Sequence, residues 1–153
     1  MKKTHITLLL VFSLFFNLLA VSPALAVKPI YSGGKERAAI RGYDPVAYFT
    51  DNAPVKGSKE HSTEYLGATW LFASEANKQI FLSNPDKYKP QYGGYCAYAV
   101  ARKSSASIKP EFFTIHNDRL YLNYSNSVYK KWIKDKNKYI KDADKNWPAV
   151  LAK

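Results

Sequence analysis

The sequence predicts an α+β fold: one small domain in which short antiparallel hairpins pack against helices, ending in a long C-terminal helix. Three observations predict it. Two stretches rich in β-branched and aromatic residues turn back on themselves, 61–72 around Gly67 and 112–123 around Asn117-Asp118. Each is followed by a serine placed to open a helix, Ser74 and Ser125. Beyond Ser125, the apolar residues Val128, Trp132, Ile133, Tyr139 and Ile140 recur at helical spacing.

Composition agrees with a packed core. Of 153 residues, 46% are hydrophobic, 15% aromatic and only 23% charged, which excludes wholesale disorder. A single Cys excludes an intrachain disulfide, a CxxC redox pair and a four-cysteine zinc site. Lys and Arg number 23 against 12 Asp and Glu, a net charge of +11. No recognised nucleic-acid-binding motif accompanies that charge, so no nucleic-acid partner is expected.

Taken in order, residues 1–26 read as a secretory signal peptide. Met1-Lys2-Lys3 is its positive start, Ile6 to Val21 its apolar run and Ala24-Leu25-Ala26 its small-residue cleavage site. The apolar run is short for a bilayer and broken by Ser13 and Asn17, so no stable membrane span is expected after cleavage. Export places the chain from Val27 onward in the periplasm or outside the cell, an oxidising compartment. Residues 27–38 form an extended lead-in that holds Pro29, and Lys35 to Ile40 is expected to make a turn or two of helix ending at Gly42.

The domain proper is read as 39–148. Asp44-Pro45 starts a short helix, because Asp caps and Pro suits a first turn, with Val46-Ala47-Tyr48-Phe49 as its apolar content. Thr50 to Lys59, with Pro54 and Gly57, is a loop into the first hairpin. Ser74 then opens a helix whose apolar face is Ala76, Ile80 and Phe81, stopped by Asn84-Pro85. A Pro-bounded connector leads to Gly93-Gly94. Tyr95 to Ala101 fits either a short helix or a buried strand. A Ser-rich basic loop, Arg102 to Lys109, precedes the second hairpin. From Ser125 one long helix is expected, with Lys130, Lys131, Lys134, Lys138 and Lys141 on its wetter faces, closed by Asn146-Trp147-Pro148. Residues 149–153 are a tail, and no internal repeat is visible.

Several segments carry a family resemblance. "GYDPVAYF" (Gly42 to Phe49), "YLGATWLFAS" (Tyr65 to Ser74) and "FLSNPDKYKPQYGGYC" (Phe81 to Cys96) resemble, in this order, the YHS domain family. "LYLNYSNSV" and "ADKNWP" further resemble its exported, single-domain branch, the YHS domain-containing (seleno)proteins. The resemblance implies a small α+β module associated with metal handling, since YHS domains occur attached to copper and other heavy-metal transporters. Those relatives place a Cys after Asp-Pro-Val and another after the aromatic strand; the matching residues here are Ala47 and Ala73, which offer no lone pair. What remains is Cys96, which the resemblance marks for redox or soft-metal chemistry.

Cys96 follows two glycines. If a helix opens at Tyr95, its sulfur sits in the first turn, where free backbone N–H groups favour the thiolate; buried among Tyr95, Tyr98 and Ala99, desolvation opposes it. A packing role competes on equal terms, because small neighbours such as Gly94, Ala97 and Ala99 suit a buried thiol. His61 and His116 are the only histidines past the leader, each in a predicted strand, and either joins a metal site only if the fold brings it to Cys96. Tyr43, Asp44, Tyr92, Tyr95 and Tyr98 cluster around the glycines, which reads first as core with one wet end.

The sequence therefore favours a binding module over an enzyme. Its leading form holds a soft metal, a copper ion first, or a partner protein, with Cys96, His116 and His61 as candidate ligands. A thiol-redox protein using Cys96 is the second form, and an interaction domain with an inert thiol the third. The expected partner is a metal-handling or thiol-redox protein; the oligomeric state is left open.

Overall fold

The computed structural model describes residues 27–153, so the signal peptide expected at 1–26 lies outside the described residues. Three two-stranded antiparallel sheets organise the chain: β1 (Ser32–Gly33) with β2 (Ala38–Ala39), β3 (Ser58–Tyr65) with β4 (Ala68–Phe72), and β5 (Lys109–His116) with β6 (Arg119–Asn123). The helices are α1 (Ala47–Thr50), α2 (Glu75–Ser83), α3 (Pro85–Tyr88), α4 (Ala97–Ala101), α5 (Asn126–Lys134) and α6 (Lys136–Leu151). Among the described residues no helix is long and apolar enough to cross a membrane. The fold is thus α+β, with both long hairpins and both serine-opened helices where the residue pattern puts them.

Local chemistry explains these elements. The turns Leu66-Gly67 and Asn117-Asp118 take positive φ at both central residues, the hairpin geometry that matches strand twist. Ser74 accepts a hydrogen bond from the Asn77 amide and Ser125 from the Val128 amide, each capping the helix that follows. The core is aromatic. Trp70 and Phe72 of β4 meet Phe81 of α2 at ring distances of 4.9 and 5.2 Å, and Tyr121 of β6 meets Trp132 of α5 at 5.5 Å.

The chain contains a structural repeat that the sequence does not display. A tight 3-10 turn, Ile40–Gly42 in the first copy and Gln91–Gly94 in the second, holds positive φ at Ile40, Arg41 and Gly42 and again at Tyr92, Gly93 and Gly94. A strand of eight residues, a two-residue turn, a strand of five and a helix of nine then follow in both copies. Even the irregularities agree. The register slips between Ser58 and Ser62 in one hairpin and between Lys109 and Phe113 in the other. Asn84 and Asp135 end the two matching helices in similar non-helical backbone. Side chains diverge while conformation is kept: Phe81 and Trp132 are both fully buried at matching positions, but few other residues are shared.

Four expectations need correction. Lys35 to Ile40 is not a helix; it makes the turn and second strand of the β1–β2 hairpin, because Gly34 and Arg37 take left-handed φ and break any helical run. The C-terminal helical stretch is two helices, parted at Asp135, whose non-helical backbone (φ −148, ψ 49) ends α5 before α6 begins. Asn146-Trp147-Pro148 does not close α6, which continues to Leu151; Asn146 instead donates to the carbonyls of Val100 and Ala101 and locks α6 onto α4. On α2 only Phe81 of the expected apolar face is buried, Ile80 and Ala76 being exposed.

Candidate functional site

Each copy of the repeat carries a short cage of backbone N–H groups, and the residue at its centre differs. In the first copy the centre is Asp44, fully buried. One carboxylate oxygen accepts from the amides of Val46 (2.8 Å) and Ala47 (3.4 Å), capping α1. The other accepts from the Ala73 amide (2.8 Å) and the Asn77 side-chain amide (2.7 Å). One buried carboxylate with four donors therefore ties α1, the end of β4 and α2 together. Ala47 and Ala73, the positions that the family resemblance pairs with cysteines, both donate their amides to this one group.

In the second copy the centre is Cys96. Gly42-Tyr43-Asp44 and Gly94-Tyr95-Cys96 run in step, and the backbone N–H groups of Asp44 and Cys96 both bond a loop carbonyl, Val55 at 2.9 Å and Ala106 at 3.0 Å. Cys96 precedes α4 rather than sitting inside it, and is 1% exposed. Burial pushes its thiol pKa up, while the amides of Ala99, Tyr124 and Tyr98 pull the other way without prevailing. These three amides match those of Ala47, Ala73 and Val46 around Asp44. The thiol donates to the Asn123 side-chain oxygen at 3.7 Å, which also accepts from the Tyr98 amide at 3.4 Å. Asn123 is itself fully buried, and its side-chain N–H₂ has no partner.

The histidines stand elsewhere. His61, in β3, has its Nδ1 3.5 Å from a Glu75 carboxylate oxygen on α2. His116 ends β5, opposite Arg119 across the hairpin turn, and is half-buried. Among the described residues no three His, Cys, Asp or Glu side chains gather in a way that would hold a metal. The surroundings of the Cys96 sulfur do not fit copper either. Soft monovalent copper takes thiolate or imidazole donors, whereas this sulfur faces an amide oxygen and N–H groups whose positive ends disfavour a cation.

The tyrosines divide between core and surface. Tyr92 donates its hydroxyl to Asp144 of α6 at 2.8 Å, and burial raises its pKa, with Asp144 adding to the effect. Tyr95 packs between Tyr31 and Trp147, and Tyr98 against Tyr139. The residue pattern shows Asp44 as a helix cap and as a member of the cluster around the glycines, and does not single out Asn123. The shared Gly-Tyr before Asp44 and Cys96 was the one signal that could have paired the two cages.

Residues 46–92 match the family model of the YHS domain. The matched stretch spans most of the first copy and ends in the opening turn of the second, the rest of which lies beyond it. No curated protein and no solved structure matches the chain.

Proposed function

We propose, from the premise that residues 46–92 form a YHS domain, that this chain is an exported, non-enzymatic binding module that recognises a metal-handling partner protein and does not hold the metal on its own thiol. YHS domains are associated with metal handling, and that association supplies the setting. The observation that carries the rest is the state of Cys96: 1% exposed, raised in pKa by burial, and hydrogen-bonded to a buried amide. A ligand or redox thiol needs access and thiolate character, and this one has neither. The module then acts through its surface, with Cys96 packing the centre of the second copy.

The test is a thiol titration of the folded protein with and without Cu(I), alongside the Cys96→Ser variant. The expected result is a thiol that alkylates only on unfolding and a Cu(I) affinity unchanged by the substitution. Loss of Cu(I) binding in Cys96→Ser would restore the metal-ligand reading and overturn this one. Alkylation of the native protein with a midpoint below the free-thiol value of about 8.5 would favour the redox reading instead. Export is tested by intact mass, which is expected to find Val27 as the first residue of protein recovered outside the cytoplasm.

A further inference from the structure

A cleft of roughly 340 Å³ opens between the β1–β2 hairpin, the 3-10 turn at Ile40–Gly42 and the start of β5. Four cations line it, Lys35, Arg41, Lys56 and Lys109, against one carboxylate, Glu111. Glu36 pairs with Lys59 at 3.1 Å and is also held below the usual carboxylate range by Lys56 and Lys35, so it offsets part of the charge; with Lys59 counted, five cations still stand against two carboxylates. Like charges repel, so four of them converge on one concavity only where the backbone imposes it.

The backbone does impose it. Tyr43 and Lys56 face each other in an antiparallel bridge, fixed by the Asp44 amide on the Val55 carbonyl and the Gly57 amide on the Gly42 carbonyl, both at 2.9 Å. That pairing sets the Lys56 ammonium 4.6 Å over the Tyr43 ring. The Tyr48 hydroxyl donates to the Pro110 carbonyl at 3.1 Å and so anchors the strand that brings Lys109 to the rim. Arg41 is held in left-handed backbone, φ 57 and ψ 27, where the matching residue of the second copy is Gly93. A non-glycine residue there is strained. The side chain lies along Gly34, where an added Cβ would meet its Cβ, Cγ and Nε at 3.1–3.4 Å. Among the described residues its guanidinium makes only a long hydrogen bond, 3.5 Å to the Ile108 carbonyl, which leaves most of its donors uncommitted.

From this geometry we infer that the cleft is an anion site for a phosphate-type group, with Arg41 supplying the forked donor pair and Lys35, Lys56 and Lys109 the surrounding charge. A planar guanidinium matches the spacing of two phosphate oxygens. Glu111, the one carboxylate in the lining, opposes the anion and is outnumbered by the four cations. The inference is independent of the thiol and of the metal-handling setting. The phosphate belongs either to a small soluble molecule or to a lipid headgroup, and both present the same oxygens.

The experiment is calorimetric titration of the folded protein with inorganic phosphate at low ionic strength, paired with sedimentation on phosphatidylcholine vesicles with and without phosphatidic acid. Arg41→Gln and Lys109→Gln are compared with Lys141→Gln, an exposed charge on α6, after circular dichroism confirms that each is folded. Arg41→Gln is expected to weaken binding about tenfold or more, the loss of one charge-assisted pair. Lys109→Gln is expected to weaken it less, and Lys141→Gln within about twofold of the parent, as for a distant screened charge. Saturable phosphate binding with this ranking supports a soluble ligand. The same ranking seen only with phosphatidic acid vesicles supports the headgroup. Absence of both, or an equal effect of Lys141→Gln and Arg41→Gln, overturns the proposal.

Discussion

The two copies of the repeat share a backbone and differ in what holds them. The first is closed from within, by the Asp44 carboxylate and its four donors. The second has a thiol at the matching point, and a thiol cannot accept four hydrogen bonds. It is closed from outside instead. Helix α6 starts where α3 starts in the first copy but runs for 16 residues instead of 4; the added length reaches α4, with Asn146 bonded to Val100 and Ala101 and Asp144 bonded to Tyr92. The comparison teaches that one backbone cage can be stabilised either by a central anion or by a lengthened helix, and that the second route leaves the centre free to be an uncharged packing residue.

The sharpest way to break the comparison is to empty the first cage. Asp44→Ala leaves buried amides at Val46, Ala47 and Ala73 without their acceptor, and is expected to cost about 3–5 kcal/mol in urea unfolding. Cys96→Ala removes packing and the weak, uncharged contacts of the thiol with Asn123 and the nearby amides, and is expected to cost about 1–2 kcal/mol. Equal losses would show that the cages are not used differently.

Exchanging the centres sharpens it further. Asp44→Cys is expected to destabilise by about 3 kcal/mol, since a thiol satisfies few of the four donors. Cys96→Asp should cost about 1–2 kcal/mol: the amides of Tyr98, Ala99 and Tyr124 already face that point, and the unpartnered Asn123 N–H₂ can turn to the new carboxylate. Chemical denaturation of both variants checks the order, and a larger loss in Cys96→Asp would refute it.

A smaller effect tests the outside closure. Asn146→Ala removes the tie between α6 and α4 and is expected to cost about 1–2 kcal/mol. Amide hydrogen exchange should quicken in α4 and at Tyr92 while the first copy is unchanged.

The smallest effect is on pH dependence. The folded Cys96 pKa lies above its unfolded value, so the protonated thiol favours the native state. That contribution is intact below about 8.5 and is lost as pH rises from there through the folded value. Cys96→Ala should flatten the stability curve just above about 8.5, by at most about 1.4 kcal/mol per pH unit. Tyr48 and Tyr92, also raised by burial, keep their own loss above about pH 10 in both proteins.

Local pattern was enough for the two long hairpins, the capping serines and the fold class. Each rests on interactions within a few residues: Leu66-Gly67 and Asn117-Asp118 form their turns, and Ser74 and Ser125 reach amides three residues on. The same locality misled at Asp135. Trp132 and Ile140 keep helical spacing across it, and spacing does not reveal a single non-helical residue that parts α5 from α6. Cys96 was legible as a lone thiol beside two glycines, but its burial depends on Asn123 and Tyr124, far along the chain. The repeat was hidden for a related reason. A backbone path survives the replacement of Phe81 by Trp132 or Asp44 by Cys96 so long as turn conformations and buried volume are kept, and residue identities need not be. Amino-acid order settled the two long hairpins with their turns and the starts of the helices behind Ser74 and Ser125. Packing in three dimensions settled that the same path is traced twice, that its two centres hold a carboxylate and a thiol, and that Arg41, Lys56 and Lys109 share one cleft, because those relations join residues too distant in sequence for any local rule to connect.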